Sequence, residues 1–245
     1  MTGALAGKVV ILTGAAGGQG RVAAKLIAQE GGKIVLTDRD PSGAVLADAI
    51  GEDALFVEHD VTEVAAWVRV VDLATERFGG VDALINNAGI AGRDTIEAMT
   101  PDRLRGYLEV NVIGALNGIQ AVLATMRARS GGSIVNIASI SALKAVPGLV
   151  GYSTSKWALR GLTRNAAAEL AADQVRVNLV LPGAVNVSMI KDAAAPGSKT
   201  SVGAQVPMGR VAEAEEIART AIFLASDGAS YVTGAELTVD GGWCA

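Results

Sequence analysis

Lys8-Val9-Val10-Ile11-Leu12-Thr13-Gly14-Ala15-Ala16-Gly17-Gly18-Gln19-Gly20 reads as a buried strand running straight into a glycine-rich turn. The unbroken, β-branched apolar run suits a strand covered on both faces of a parallel sheet. An amphipathic helix is predicted from about Arg21 to Gln29, stopped by Gly31-Gly32. A second strand, Lys33-Ile34-Val35-Leu36-Thr37, ends on Asp38. Strand, glycine turn, helix, strand and terminal acid in roughly thirty residues is the arrangement that binds dinucleotides. Glycine lets the backbone turn tightly and approach a pyrophosphate, whose charge a helix N-terminus then favours.

Asp38 bears on which dinucleotide. A carboxylate at the end of that strand accepts hydrogen bonds from a ribose 2′-OH and repels a 2′-phosphate. Position 17, where a cation would meet such a phosphate, is glycine, and Arg39 is the one contrary sign. The expected cofactor is NAD(H).

The alternation of strands and helices continues to the end of the chain. Helix Pro41–Ile50, strand Ala54–Val57, helix Val64–Phe78 and strand Val81–Ile85 are predicted in turn. Asp60 is placed either to bond an adenine amino group or to cap the helix near Thr62. His59, the only histidine, is expected to be structural. Asn86-Asn87-Ala88-Gly89 forms a turn where backbone must lie against something flat. A longer helix, Pro101 to Arg129, carries Asn111 in its interior, a mildly unfavourable place for asparagine. Strand Gly132–Ala138 leads to Ser139 at its carboxyl end, where open parallel sheets bind ligands. Strand Val175–Leu181, helix Glu213–Leu224 and strand Glu236–Val239 complete an α/β, doubly wound parallel sheet of about seven strands in one domain spanning 1–245. The stretch 184–206, rich in Ala, Gly and Ser without a clear period, is expected to be a substrate lid.

Gly151-Tyr152-Ser153-Thr154-Ser155-Lys156 opens a further helix, with Ser and Thr expected to supply capping oxygens. Tyr152 and Lys156, four apart, share a helix face one turn apart. A free phenol titrates near ~10, and bringing it to about 7 takes roughly 4 kcal/mol. An ammonium about 5 Å away, at an effective dielectric of ~20, supplies about 3 kcal/mol of that. Tyr152 is thus a candidate general acid/base for a carbonyl or hydroxyl substrate, tuned by Lys156.

Composition narrows the partners. The chain has 245 residues, half of them apolar, a mean hydropathy of +0.37 and a net charge of −4. No cluster of Lys or Arg stands out, which argues against nucleic acid or an anionic membrane as partner. The lone cysteine, Cys244, makes no internal disulfide and suits a reducing compartment. The first residues lack the pattern of a signal peptide, no apolar run approaches the length of a membrane span, and no metal site is expected. A cytoplasmic enzyme is the expectation.

Taken together, Thr13-Gly14-x-x-x-Gly18-x-Gly20, Asn86-Asn87-Ala88-Gly89, Asn111, Ser139, Tyr152-x-x-x-Lys156 and Pro182-Gly183 resemble, in order and spacing, the short-chain dehydrogenase/reductase family in its single-domain branch. The resemblance extends through the tail, Tyr231 to Trp243. It implies that Tyr152 exchanges a proton with the substrate oxygen while Ser139 orients that oxygen. Lys156 would hold the nicotinamide ribose and lower the Tyr152 pKa, and Asn111 would anchor a water in a proton relay. Gly14, Gly18, Gln19 and Gly20 would meet the pyrophosphate, Asp38 the adenosine ribose, and Asp60 and Val61 the adenine. Asn87 and Val185 would line the rest of the cofactor path. The chain departs from the family where a threonine usually follows Pro-Gly: Val187 stands there, one hydrogen bond short.

The segment Ile140, Ala142, Leu143, Val146, Pro147 and the lid residues Val187, Met189 and Ile190 read as apolar, with Lys144 expected to face solvent. The substrate is accordingly expected to be a largely apolar secondary alcohol or ketone. The Lys156-Trp157 pair and the Trp243 tail are similar to those of bacterial hydroxysteroid and cyclic-alcohol dehydrogenases. The alternatives are an NADPH-dependent 3-oxoacyl carrier-protein reductase and a non-catalytic cofactor-binding regulator. The resemblance also implies a homotetramer built on the helices carrying Asn111 and Tyr152; Ala158, Gly161, Ala166, Ala167 and Ala168 would permit close helix approach.

Overall fold

The computed structural model describes residues 3–186 and 202–245. Seven parallel strands form one sheet in the order β3-β2-β1-β4-β5-β6-β7. These are β1 (Val9–Thr13), β2 (Lys33–Asp38), β3 (Ala54–Glu58), β4 (Ala83–Asn86), β5 (Gly132–Ile137), β6 (Val175–Pro182) and β7 (Glu236–Val239). Every residue of β1 is buried, as the β-branched run requires of a strand with helices on both faces. The chain leaves β1 in one direction for β2 and β3, then returns to build β4 on the other side. That reversal opens a crevice at the carboxyl ends of β1 and β4.

Among the described residues, seven α-helices cover the sheet: α1 (Gly18–Gln29), α2 (Gly43–Ile50), α3 (Val64–Phe78), α4 (Pro101–Leu108), α5 (Gly114–Ala128), α6 (Val150–Leu170) and α7 (Ala214–Ala225). One core cluster packs α1 and α7 on one face through Leu26, Ile27, Ile217 and Leu224. The other face holds Trp67, Val70, Val122 and Met126 from α3 and α5. Pro101–Ala128 is long and apolar enough for a membrane span, yet α5 buries Ala115, Ile119, Val122 and Met126 within the protein. It is a core helix.

Two local expectations are corrected, and a third falls largely outside the described residues. Pro101–Arg129 is not one regular helix: a π-turn, Glu109–Ile113, separates α4 from α5, and Asn111 sits in it. Asn111 is buried there, and its side chain bonds the Ile90 peptide and Ser155 Oγ. Helix α6 starts at Val150, with Leu149 in the capping position and no side-chain cap. Thr154 and Ser155 instead bond backward, to the Val150 and Tyr152 carbonyls, both at 2.7 Å. Finally, most of the expected lid, 187–201, lies outside the described residues, and with it Val187, Met189 and Ile190. Its near end is tied down, since Val185 pairs with Ala212 and the Asn186 amide donates to the Ala212 carbonyl.

Candidate active site

At the end of β1, Gly14 adopts φ +67° and lies so close to Ala88 that a Cβ there would sit 2.8 Å from its Cα. Gly20 is equally constrained: a Cβ would run into the Gly14 carbonyl oxygen and lie 2.7 Å from Ala15 Cα. These two glycines bring α1 down onto the strand end. No side chain caps the first turn of α1, and Gly17 and Gly18 are exposed. The helix therefore presents free N–H groups and its positive dipole end at the crevice, as a pyrophosphate requires. The residues present fit a dinucleotide.

Asp38 stands across the turn, at the end of β2. Its Oδ2 accepts from the Ala16 amide at 2.9 Å and its Oδ1 from the Asp40 amide at 3.0 Å. The carboxylate thus shapes the glycine turn. Asp60 organises the turn before α3, accepting from the Thr62 amide and hydroxyl at 2.9 and 2.8 Å. Arg39 reaches Asp60 at 3.4 Å from a largely exposed position, a pair worth little energetically. Val61 is buried and its carbonyl accepts from Trp67 and Asn117. His59 is structural, as expected: its ring packs edge-on against Trp67, Nδ1 lies 3.2 Å from Thr37 Oγ1, and burial pulls its pKa down to about 4.

On the β4 side, Asn87 Nδ2 donates to the Thr13 and Gly14 carbonyls at 2.9 and 3.2 Å. Thr13 Oγ1 accepts from the Asn87 and Ala88 amides. Thr13 thus fastens two neighbouring strand ends, a role that its place in the glycine motif did not disclose.

Ser139 follows β5, and its Oγ accepts from the Ser141 amide at 3.1 Å. Tyr152 lies on the first turn of α6, with Ser139 as the neighbouring hydroxyl that acts on its phenol. Lys156, one turn further, is buried, with Nζ 5.7 Å from the Tyr152 ring and 2.9 Å from the Ile137 carbonyl, to which it donates. Asn111 Nδ2 donates to the Ile90 carbonyl at 3.0 Å and to Ser155 Oγ at 2.9 Å, while its Oδ1 accepts from the Ile90 amide at 2.8 Å. A Cβ on Gly89 would lie 3.1 Å from Asn111 Oδ1, a tight contact, and 3.5 Å from Lys156 Nζ, an ordinary one. Ser155 gave no sequence signal beyond lying within the Tyr-Lys spacing. Here it joins that helix to the π-turn.

The electrostatics correct the simple Tyr–Lys argument. Burial pushes the Tyr152 phenol above its ordinary value, and the Ser139 hydrogen bond only opposes this. Lys156 is itself pulled down to about 8 by burial. Desolvation penalises both charged forms, and the ammonium is directed at a carbonyl rather than at the phenolate position. Two other expectations change. Lys144 does not point into solvent: Nζ donates to the Trp243 carbonyl at 3.2 Å and lies 4.5 Å above its indole ring, a cation–π contact. Ile140 and Ala142 are buried, Ala142 within a core cluster with Leu159 and Leu181, so they support the wall beyond Ser139 instead of lining it.

A nucleotide cradle at the carboxyl ends of the central strands, beside a Ser, Tyr and Lys cluster, points to an oxidoreductase class, and sequence comparison agrees. Residues 14–244 match the family described as enoyl-(acyl carrier protein) reductase. Trans-4-hydroxycyclohexanecarboxylate dehydrogenase of Sinomonas cyclohexanicum is 40% identical over 248 residues, covering 97% of this chain and 93% of the relative. A 3-alpha-(or 20-beta)-hydroxysteroid dehydrogenase of Mycobacterium bovis is 39% identical over 243 residues, covering 99% and 91%. An NADP-dependent (R)-specific alcohol dehydrogenase of Lentilactobacillus kefiri is 37% identical over 251 residues, with both chains fully covered. The chain belongs to the short-chain dehydrogenase/reductase family and is an oxidoreductase of that family.

Proposed function

We propose that this protein transfers a hydride between NAD(H) and a largely apolar secondary alcohol or its ketone, of the cyclic-alcohol or hydroxysteroid kind. The observation that carries the reading is the cluster of Ser139, Tyr152 and buried Lys156 beside the crevice of the sheet. Tyr152 exchanges the proton with the substrate oxygen and Ser139 fixes that oxygen. Lys156 holds the nicotinamide ribose, and Asn111 anchors a water in a proton relay from Lys156 to solvent. The bound nicotinamide supplies or accepts the hydride. Gly14, Gly18, Gln19 and Gly20 hold the pyrophosphate, Asp60 and Val61 flank the adenine, and Asn87 and Val185 line the remaining path.

Asp38 supports NAD(H) over its phosphorylated form, because a carboxylate at the end of β2 would repel a 2′-phosphate. Arg39, mostly exposed and weakly paired, does not offset it. The apolar substrate is supported by Leu143 and Val146 between Ser139 and Tyr152, and by the cyclic alcohols named for the relatives. A cytoplasmic homotetramer belongs to the same proposal. Gly161 on α6 has open space around its Cα and Trp157 is 47% exposed on that helix, which suits helix-to-helix association.

The test is a panel of alicyclic alcohols, hydroxysteroids, β-keto esters and acyl carrier-protein thioesters, each assayed with NAD(H) and NADP(H). Turnover of the cyclic or steroid substrates with NAD(H) is expected, and Tyr152→Phe should bind NADH while losing at least about a hundredfold in kcat. Activity confined to carrier-protein thioesters, or to NADP(H), overturns the reading. Light scattering of the purified protein tests the tetramer.

A further inference from the structure

Tyr152 must be held against Ser139 by something other than a helix cap, since α6 opens on Leu149 without one. The structure supplies an anchor from a distant segment. Asp94 lies on the loop after Asn86-Asn87-Ala88-Gly89, and its backbone pairs with Leu149 as a one-residue parallel bridge. Its amide donates to the Gly148 carbonyl at 2.8 Å, and its carbonyl accepts from the Val150 amide at 3.3 Å. These bonds take hold of the last loop residues and the first helical residue before Tyr152.

The Asp94 side chain is in turn fixed inside the protein. The residue is only 3% exposed. Oδ2 accepts from the Tyr107 hydroxyl at 2.8 Å, and Oδ1 pairs with Arg103 at 2.5 Å. Both partners come from α4. A buried carboxylate with two charge-assisted or phenolic partners resists displacement, because losing either leaves a desolvated charge. The Tyr107 ring also presses on the start of α6: a Cβ on Gly151 would lie 2.5 Å from its Cδ2 and 2.7 Å from Met99 Cε. The helix origin is thus seated on Tyr107 and tied to Asp94.

We propose that Asp94, braced by Tyr107 and Arg103, is a positioning residue that fixes the first turn of α6 and thereby the Tyr152 hydroxyl relative to Ser139. This rests on the reading of Tyr152 as the acid/base. Asp94 touches neither Tyr152 nor Ser139. Its effect passes through Gly148, Leu149 and Val150, and it should therefore alter the chemical step while leaving the nucleotide cradle at β1 and β2 intact. Small displacements of a catalytic group are expensive in rate even when binding survives.

Asp94→Asn removes the buried charge at nearly constant shape, and Tyr107→Phe removes only the hydroxyl, so a folded variant is available if the first misfolds. Both are made in the full chain and compared with wild type. With a substrate that the wild type turns over, kcat is expected to fall about ten- to a hundredfold, with KM for NADH and the NADH dissociation constant changed less than about twofold. Amide hydrogen exchange of the cofactor-free proteins is measured in parallel, and the amides of Asp94 and Val150 through Ser153 should exchange at least about tenfold faster in the variants. Folded variants with wild-type kcat, or with wild-type exchange at the start of α6, overturn the assignment. A fall confined to NADH binding overturns it too, since that would be general loosening of the fold. If wild type turns over nothing in the panel, the functional reading fails by itself, and the exchange measurement still decides whether Asp94 anchors α6.

Discussion

Lys156 Nζ donates to the Ile137 carbonyl across 2.9 Å, tying the first turns of α6 to the last residue of β5. The ammonium has left water for a place where the Ile137 backbone carbonyl is its hydrogen-bond partner, and burial brings its pKa to about 8. In the cofactor-free protein this one lysine should titrate near pH 8, well below exposed lysines. Carbon NMR of labelled lysine, with Lys156→Met to assign the signal, measures it. The unfolded chain keeps the proton up to about 10.5, so between pH 8 and 10.5 the unfolded state binds more protons and this site's contribution to stability rises with pH. A Lys156 signal titrating above pH 10 would contradict the buried geometry.

His59 yields a second pH effect. Burial holds it neutral down to about pH 4, whereas the unfolded chain protonates near 6.5. The folded pKa is depressed, so the stability it contributes is fully present above 6.5 and is lost as pH falls towards 4. The full window corresponds to about 3 kcal/mol, and about 2 kcal/mol is gone by pH 5. Denaturant unfolding at pH 7.5 and pH 5 should show that loss in the wild type. In His59→Phe the difference between the two pH values should shrink by about the same amount.

Asp38 combines two roles, and its replacement separates them. Asp38→Ala abandons the Ala16 and Asp40 amides, a cost of about 1–2 kcal/mol. It also removes a negative charge that would face a 2′-phosphate, worth about 3 kcal/mol per unit charge at about 5 Å and an effective dielectric of ~20. The ratio of kcat/KM for NAD against NADP should fall by about tenfold or more. An unchanged ratio would show that Arg39 or another group governs the choice.

Gly20→Ala tests the cradle. The methyl group would collide with the Gly14 carbonyl, and backbone cannot move aside as a flexible side chain would. The N-terminus of α1 must lift, at a cost of about 1–3 kcal/mol in stability. Fluorescence titration with NADH should show affinity weakened about tenfold or more, while the neighbouring exposed Gly17→Ala, whose Cβ meets only the Gly14 oxygen at 3.5 Å, should fold normally.

Much of this site could be read in one dimension. The glycine turn, the acid closing β2, Ser139 at a strand end and the Tyr152–Lys156 spacing all depend on residues within a turn or a strand of one another. The π-turn at Asn111 was hidden because its cause lies elsewhere: the Ile90 peptide and Ser155 draw that amide inward. Lys144 reads as a surface residue until Trp243 is folded back over it. Asp94 and Tyr107 look like unrelated polar residues until α4 carries one against the other.

The amino-acid order alone determined the alternating strands and helices, the glycine-rich turn and the candidate reactive side chains, because periodicity, glycine conformation and helical spacing are properties of near neighbours. Protonation and placement were decided only in three dimensions. Desolvation of Tyr152 and Lys156, and the anchoring of α6 by Asp94, come from segments distant in the chain that exclude water together, and no local pattern records how much water they exclude.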